Sequence, residues 1–189
     1  MVSKKVLKEN YRPSSQSHSA ETKYIDSSKM DSLITEMKNF REHNDPSRIP
    51  RNFHRHVCAV ISGRPEKSSI RAMGFNHQLG DGGLIHSEVH ACQRAFRNTS
   101  SSGRKILCDK RRKKFNIVIL RFSNSENLLA RSDPCWHCVQ YMKLYENQIN
   151  RVYFSSCDDS RIQYCSLSSL IQADTRYYSS GNKSRLSLS

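Results

Sequence analysis

Apolar residues along this chain fall into short blocks whose spacing changes from helical to alternating and back. Met30, Leu33, Ile34, Met37 and Phe40 recur at the i, i+3, i+4, i+7 interval that lines one face of a helix. Ser27 onward supplies serine and aspartate as caps at its start, and Asn44, Asp45 and Pro46 end it. "HRHVCAVISG" then alternates and concentrates β-branched side chains. "SSIRAMGFN" follows after the Pro-containing link "RPEK", which predicts two strands joined as a hairpin. Gly80, Gly82 and Gly83 weaken any regular element in "HQLGDGGL", so that stretch reads as a loop. From His86 to about Phe96, the residues Val89, Cys92, Ala95 and Phe96 outline the buried side of a second helix, and "RNTSSSGR" is a linker. "KFNIVILRFS" has the continuous apolar centre of a strand covered on both faces. Pro134 precedes a helix carrying Cys138, Tyr141, Met142 and Tyr145. "INRVYFSS" and "RIQYCSL", separated by "CDDS", read as an antiparallel hairpin, and "SLSSLIQ" as a short closing helix.

The order helix, strand, strand, helix, strand, helix, strand, strand predicts an α/β domain with a mixed sheet and helices on its faces. Each helix carrying a chemically suggestive residue follows a strand, which sets its N-terminus at a sheet edge where ligands commonly bind. The domain spans residues 27–173, with a basic insertion at 98–114. Residues 1–26 are polar and rich in Ser and Lys, residues 174–189 are rich in Ser, and both are expected to be disordered tails. No internal repeat is present.

Composition narrows the setting. A chain of 189 residues holds one domain with a proper core, and a hydrophobic share of 36% leaves part of it unpacked. No apolar run approaches the ~20 residues of a membrane span, and the basic N-terminus lacks the apolar segment of a signal peptide. The expectation is a soluble intracellular protein, cytoplasmic or nuclear, with no membrane partner. Seven cysteines, an odd number without dense spacing, fit a reducing compartment. A net charge of +14 favours an anionic partner such as a nucleotide or a nucleic acid. Within Arg104–Lys114, "RKILCDKRRKK", seven Lys or Arg stand against one Asp, so 7 − 1 = +6 of that charge sits there. Such a run binds nucleic acid, serves as a nuclear-import signal, or is simply a solvated loop.

The chemistry concentrates in "LIHSEVHACQRAF" and "SDPCWHCVQYM". Cys135 and Cys138 have the spacing with which one helical turn offers two thiolates to a single metal ion, and a helix N-terminus favours the thiolate form. A redox pair is the other use of that spacing, but no thioredoxin-like context surrounds it. His86, opening the other helix, is the natural third ligand. His90, four residues on and on the same face, would complete a closed structural site of four ligands. Glu88 separates the two outcomes: beside an open fourth position a carboxylate can take a proton from metal-bound water, whereas a structural site has no use for it. Its plain alternative is an acidic side chain favoured by the helix dipole. "HSEVH" departs from the HExxH of metalloproteases, where the glutamate directly follows the first histidine.

"HSE" followed by "PCWHC" resembles the H-x-E and P-C-x-x-C pair of the zinc-dependent cytidine and deoxycytidylate deaminase superfamily. The two motifs match residue by residue, and the rest of residues 27–172 matches through pattern. The resemblance implies a three-layer cytidine deaminase-like fold: a mixed five-stranded sheet with helices on both faces, its last two strands an antiparallel hairpin. It also implies that His86, Cys135 and Cys138 hold Zn2+, that Glu88 shuttles the proton, and that His90, Trp136 and His137 are structural. Asn76 resembles the asparagine that members use on the sugar or base, or else is an ordinary loop residue. Phe75, His77 and Phe154 are further candidates for lining the pocket.

The activity implied is hydrolytic deamination of cytosine to uracil in a free nucleoside or nucleotide of the cytidine, CMP or dCMP type. A deaminase of DNA or RNA and a non-catalytic zinc-binding module of the same fold are the alternatives, and relatives with this motif also deaminate purines. Two details pull apart. The terminal hairpin is that of free-nucleoside members, whereas a histidine in the first motif is that of polynucleotide and deoxycytidylate members. The long basic connection after the first motif helix departs from the family. A homo-oligomer is expected from resemblance alone.

Overall fold

The computed structural model describes residues 22–44, 55–79, 83–96, 114–123, 129–156 and 161–173. Along the chain these form strand β1 (Lys23–Asp26), helix α1 (Asp31–Asn44), the hairpin β2 (Arg55–Ser62) and β3 (Ser69–Phe75), the ribbon β4 (His77–Gln78) and β5 (Leu84–Ile85), and helix α2 (Ser87–Phe96). They continue as β6 (Phe115–Phe122), β7 (Leu129–Ala130), α3 (Trp136–Lys143), β8 (Ile149–Ser155), β9 (Arg161–Ser166) and α4 (Leu167–Gln172). A 3-10 turn, Ser27–Met30, leads into α1.

The sheet is mixed and ordered β1-β9-β8-β6-β2-β3, with β7 added on β6. Only β6 and β8 run parallel, and every other pairing is antiparallel, including the β2–β3 and β8–β9 hairpins read from the sequence. Alternation along the central strands explains why both faces are covered. In β6, Ile117 and Ile119 enter one core while Val118, Leu120 and Phe122 enter the other; in β2, Cys58 and Val60 part from Val57, Ala59 and Ile61 in the same way. The first core is closed by Ala91, Cys92, Ala95 and Phe96 of α2, Val139 and Met142 of α3, and Leu167 and Leu170 of α4. The second is closed by Met30, Leu33 and Met37, the stripe that predicted α1. At ~1.5–3 kcal/mol for each large apolar side chain taken from water, these two layers outweigh any single polar contact in the domain.

The expected five strands are too few: the sheet has seven, and a separate two-stranded ribbon joins them. β1 uses Lys23–Asp26, placed by the sequence in the disordered tail. Its four residues are mostly exposed and Ile25 alone turns to the core, so hydrophobic periodicity carries no trace of it; it is held by backbone pairing to β9 and by the Asp26 carboxylate, which accepts from Ser28 N–H. β7, β4 and β5 are two residues each, below the length at which alternation can register. The tails at 1–21 and 174–189, and the basic insertion apart from the exposed Lys114, lie outside the described residues. No described helix is long and apolar enough to cross a membrane.

Candidate metal centre

Two helix N-termini meet at the end of the sheet where β3, β6 and β8 finish. α2 is seated there by a missing side chain. A Cβ on Gly74 of β3 would stand 2.3 Å from Ala91 N and 2.7 Å from Ser87 O, so only glycine lets the first turn of α2 lie directly on the strand. Arg71, three residues earlier on β3, donates to the Ala95 carbonyl at 3.0 Å and satisfies the far end of the helix. β5 delivers the chain to His86, whose carbonyl accepts from His90 N–H at 3.0 Å and so starts α2.

α3 is positioned by a buried serine. Ser132 Oγ donates to the Ile119 carbonyl of β6 at 2.7 Å and accepts from Ser155 N–H of β8 at 2.8 Å, while Ser132 N–H donates to the Ser155 carbonyl at 3.0 Å. This ties the segment before Pro134 across the ends of two central strands and leaves Cys135 as the N-cap of α3.

The sequence-predicted donors converge. His86 Nδ1 lies 3.4 Å from Cys135 Sγ and 3.2 Å from Cys138 Sγ, and the two sulfurs are 3.5 Å apart. A tetrahedral ion about 2.0 Å from an imidazole nitrogen and about 2.3 Å from each sulfur spreads those ligands about 3.5–3.8 Å apart. The observed triangle is that face of a coordination sphere, slightly contracted, and these residues can hold a metal ion.

His90 does not join them. Among the described residues the donor cluster consists of His86, Cys135 and Cys138, and His90 instead turns its Nδ1 to Phe75, 3.2 Å from the carbonyl oxygen. The closed four-ligand arrangement through His90 is therefore absent. Glu88 sits in the first turn of α2, only 3% exposed, accepting from Ser87 Oγ at 3.0 Å and lying within hydrogen-bond reach of the Cys138 thiol.

Charge within the cluster is strongly coupled. Cys135 is pulled down to about 4 by hydrogen bonding from Cys138 and then by His86. Cys138 is held well above the usual thiol range by that same partner and by burial, so the pair shares one proton and Cys138 keeps it. His86 rises because its ring bonds the Cys135 thiolate. Burial, then the neighbouring thiolate, raises Glu88 above the ordinary carboxylate range. Cys58 and Cys92, also buried, are raised mainly by desolvation, Cys92 to about 12, and act as apolar packing.

The remaining predicted residues divide. Asn76 directly follows β3, its side-chain oxygen accepting from His56 N–H at 3.0 Å. Phe75 and His77 form a ring cluster with His90 beside the centre. Phe154, expected at the pocket, is fully buried in the core on the α2 and α3 side of the sheet. His137 is exposed and Trp136 half-buried. Gly74 and Ser132 were not singled out by sequence reasoning. The first carries a recognisable signal, a glycine inside a strand, and the second none that separates it from other serines.

Compared with protein-family models and with curated proteins, the chain matches none.

Proposed function

We propose that the chain is a zinc-dependent hydrolytic deaminase that converts cytosine to uracil in a free nucleoside or nucleotide. The observation that carries this reading is a buried carboxylate, Glu88, packed against a donor set that among the described residues is His86, Cys135 and Cys138. Two sulfurs and one imidazole favour zinc over harder cations, and three ligands leave a fourth position for water. Zinc supplies, when bound, the Lewis acidity that makes water a nucleophile near neutral pH.

The protein's own groups do the rest. Glu88, with its affinity for protons raised by burial, takes one proton from the attacking water and delivers it to ring N3, then carries the remaining proton of the added hydroxyl to the departing amine, so that water and cytosine give uracil and ammonia. Ser87 Oγ holds one carboxylate oxygen, which fixes the direction in which the other works. Asn76 is proposed as a contact to the substrate. The β8–β9 hairpin supports a small substrate, because the resembled family pairs that connection with free nucleosides.

The test is the purified chain with cytidine, CMP, dCMP and a cytosine-containing oligonucleotide, followed by ammonia release and uracil product. Glu88→Ala is expected to keep about one zinc per chain and lose at least about 10²–10⁴-fold in turnover, the usual worth of general acid–base catalysis. Substantial activity in that variant removes the proton-shuttle role, and a wild type inert on all four substrates removes the deaminase reading.

A further inference from the structure

Beyond the metal donors, α2 continues the same face with His90, four residues after His86, and Arg94, four residues after that. His90 reaches past the helix to the open edge of β3, where its Nδ1 lies 3.4 Å from Phe75 N and 3.2 Å from Phe75 O. His77 of β4 turns its own Nδ1 to that carbonyl at 3.2 Å, and the two imidazoles meet edge to face at 4.6 Å. Phe75 packs on both rings, Phe40 of α1 lies 6.1 Å from Phe75, and the Arg94 guanidinium sits 5.8 Å over the Phe40 ring. His77 pairs with Ile85, the residue before His86, so this cluster adjoins the metal donors directly.

Three features of the cluster are chemically specific. Arg94 is exposed, yet held over a ring rather than against a carboxylate of the described residues. The His90 ring turns its Nδ1 to the Phe75 backbone, so its Nε2 faces away from the strand. An outward-facing imidazole nitrogen and a guanidinium one helical turn apart suit an anion with several acceptor oxygens. At about 1.5 Å of rise per residue, His90 stands about 6 Å and Arg94 about 12 Å along the axis from His86, an interval that spans the reach of a pyrimidine nucleotide from ring to phosphate.

We infer that His90 and Arg94 form a phosphate subsite walled by His77, making the substrate a cytosine mononucleotide rather than the nucleoside; this rests on the deaminase reading above. The probes are uridine 5′-monophosphate and uridine, titrated calorimetrically into the zinc-loaded full chain, with Arg94→Gln, Arg94→Lys and His90→Ala as variants and thermal midpoints as a control for folding. The wild type is expected to bind the phosphorylated probe about 10–100-fold more tightly, as hydrogen bonds to a charged group allow. Arg94→Gln removes most of that difference and Arg94→Lys retains part of it. In turnover, the ratio of kcat/KM on CMP to that on cytidine falls by a similar factor in Arg94→Gln, mainly through KM. Equal binding of the two probes, no binding of either, a difference that survives Arg94→Gln, or preference for a cytosine-containing oligonucleotide over CMP each overturns the subsite. A wild type that turns over no cytosine compound but still shows Arg94-dependent binding of the phosphorylated probe sinks the deaminase reading and leaves the subsite standing.

Discussion

Cys135 and Cys138 share one proton across a 3.5 Å separation, and His86 is drawn toward its charged form by the resulting thiolate. Metal ligation needs both sulfurs deprotonated and the imidazole neutral, so an incoming metal ion must displace the proton on Cys138 and whatever fraction His86 carries. Between about one and two protons are expected to leave per ion bound at pH 7, read by calorimetry in buffers of different ionisation enthalpy. The sign follows: His86 is raised above its unfolded value, so proton competition strengthens as pH falls through its folded pKa, and apparent affinity should weaken by about tenfold per pH unit or more on the acid side. An affinity independent of pH would contradict the shared proton. At this scale the sequence was legible. His86, Glu88, Cys135 and Cys138 lie within single helical turns, where spacing alone dictates which side chains stand together.

At the scale of elements, the placement of α2 depends on a contact that spacing cannot reveal. Gly74→Ala would drive a methyl group into the backbone of Ala91 and Ser87, both rigid, so α2 must lift rather than adjust. We expect a loss of about 1–3 kcal/mol or more in denaturant unfolding, together with weakened zinc binding because His86 moves with the helix. A destabilised variant that binds zinc as the wild type does would separate the seat from the site. Ser132→Ala tests the other helix: removing the hydroxyl leaves the Ser155 N–H and the Ile119 carbonyl without that partner, for an expected loss of about 1–3 kcal/mol and a similar weakening of metal binding. Ser132 and Ser155 are distant in sequence, and Gly74 meets α2 only after the β3–β4–β5 turn. Their importance is a product of tertiary contact, which is why the fold had to be seen for them to emerge.

For the whole molecule, the two-faced core was readable because β6 announces it with an unbroken apolar run, whereas the sheet's width was not. β1 contributes only half-buried Ile25 to the interior, and its stabilisation comes from backbone pairing and the Asp26 cap. A chain lacking residues 1–26 is therefore expected to be about 1–2 kcal/mol less stable than one lacking residues 1–21, with a lower thermal midpoint and a greater tendency to aggregate through the exposed edge of β9. Identical midpoints would show that β1 is dispensable. The charge that drew attention to an anionic partner is legible in composition, but the run Arg104–Lys114 falls, apart from Lys114, outside the described residues. Arg94 meanwhile offers a cationic group beside the centre that net charge alone could not locate.

Because His86 and Cys135 are 49 residues apart along the chain yet 3.4 Å apart in space, an ion between them would act as a clasp on a scaffold already assembled by glycine, serine and apolar layers. Chelation should then loosen the opening turns of α2 and α3, seen as faster amide exchange confined to those turns, while the sheet stays protected.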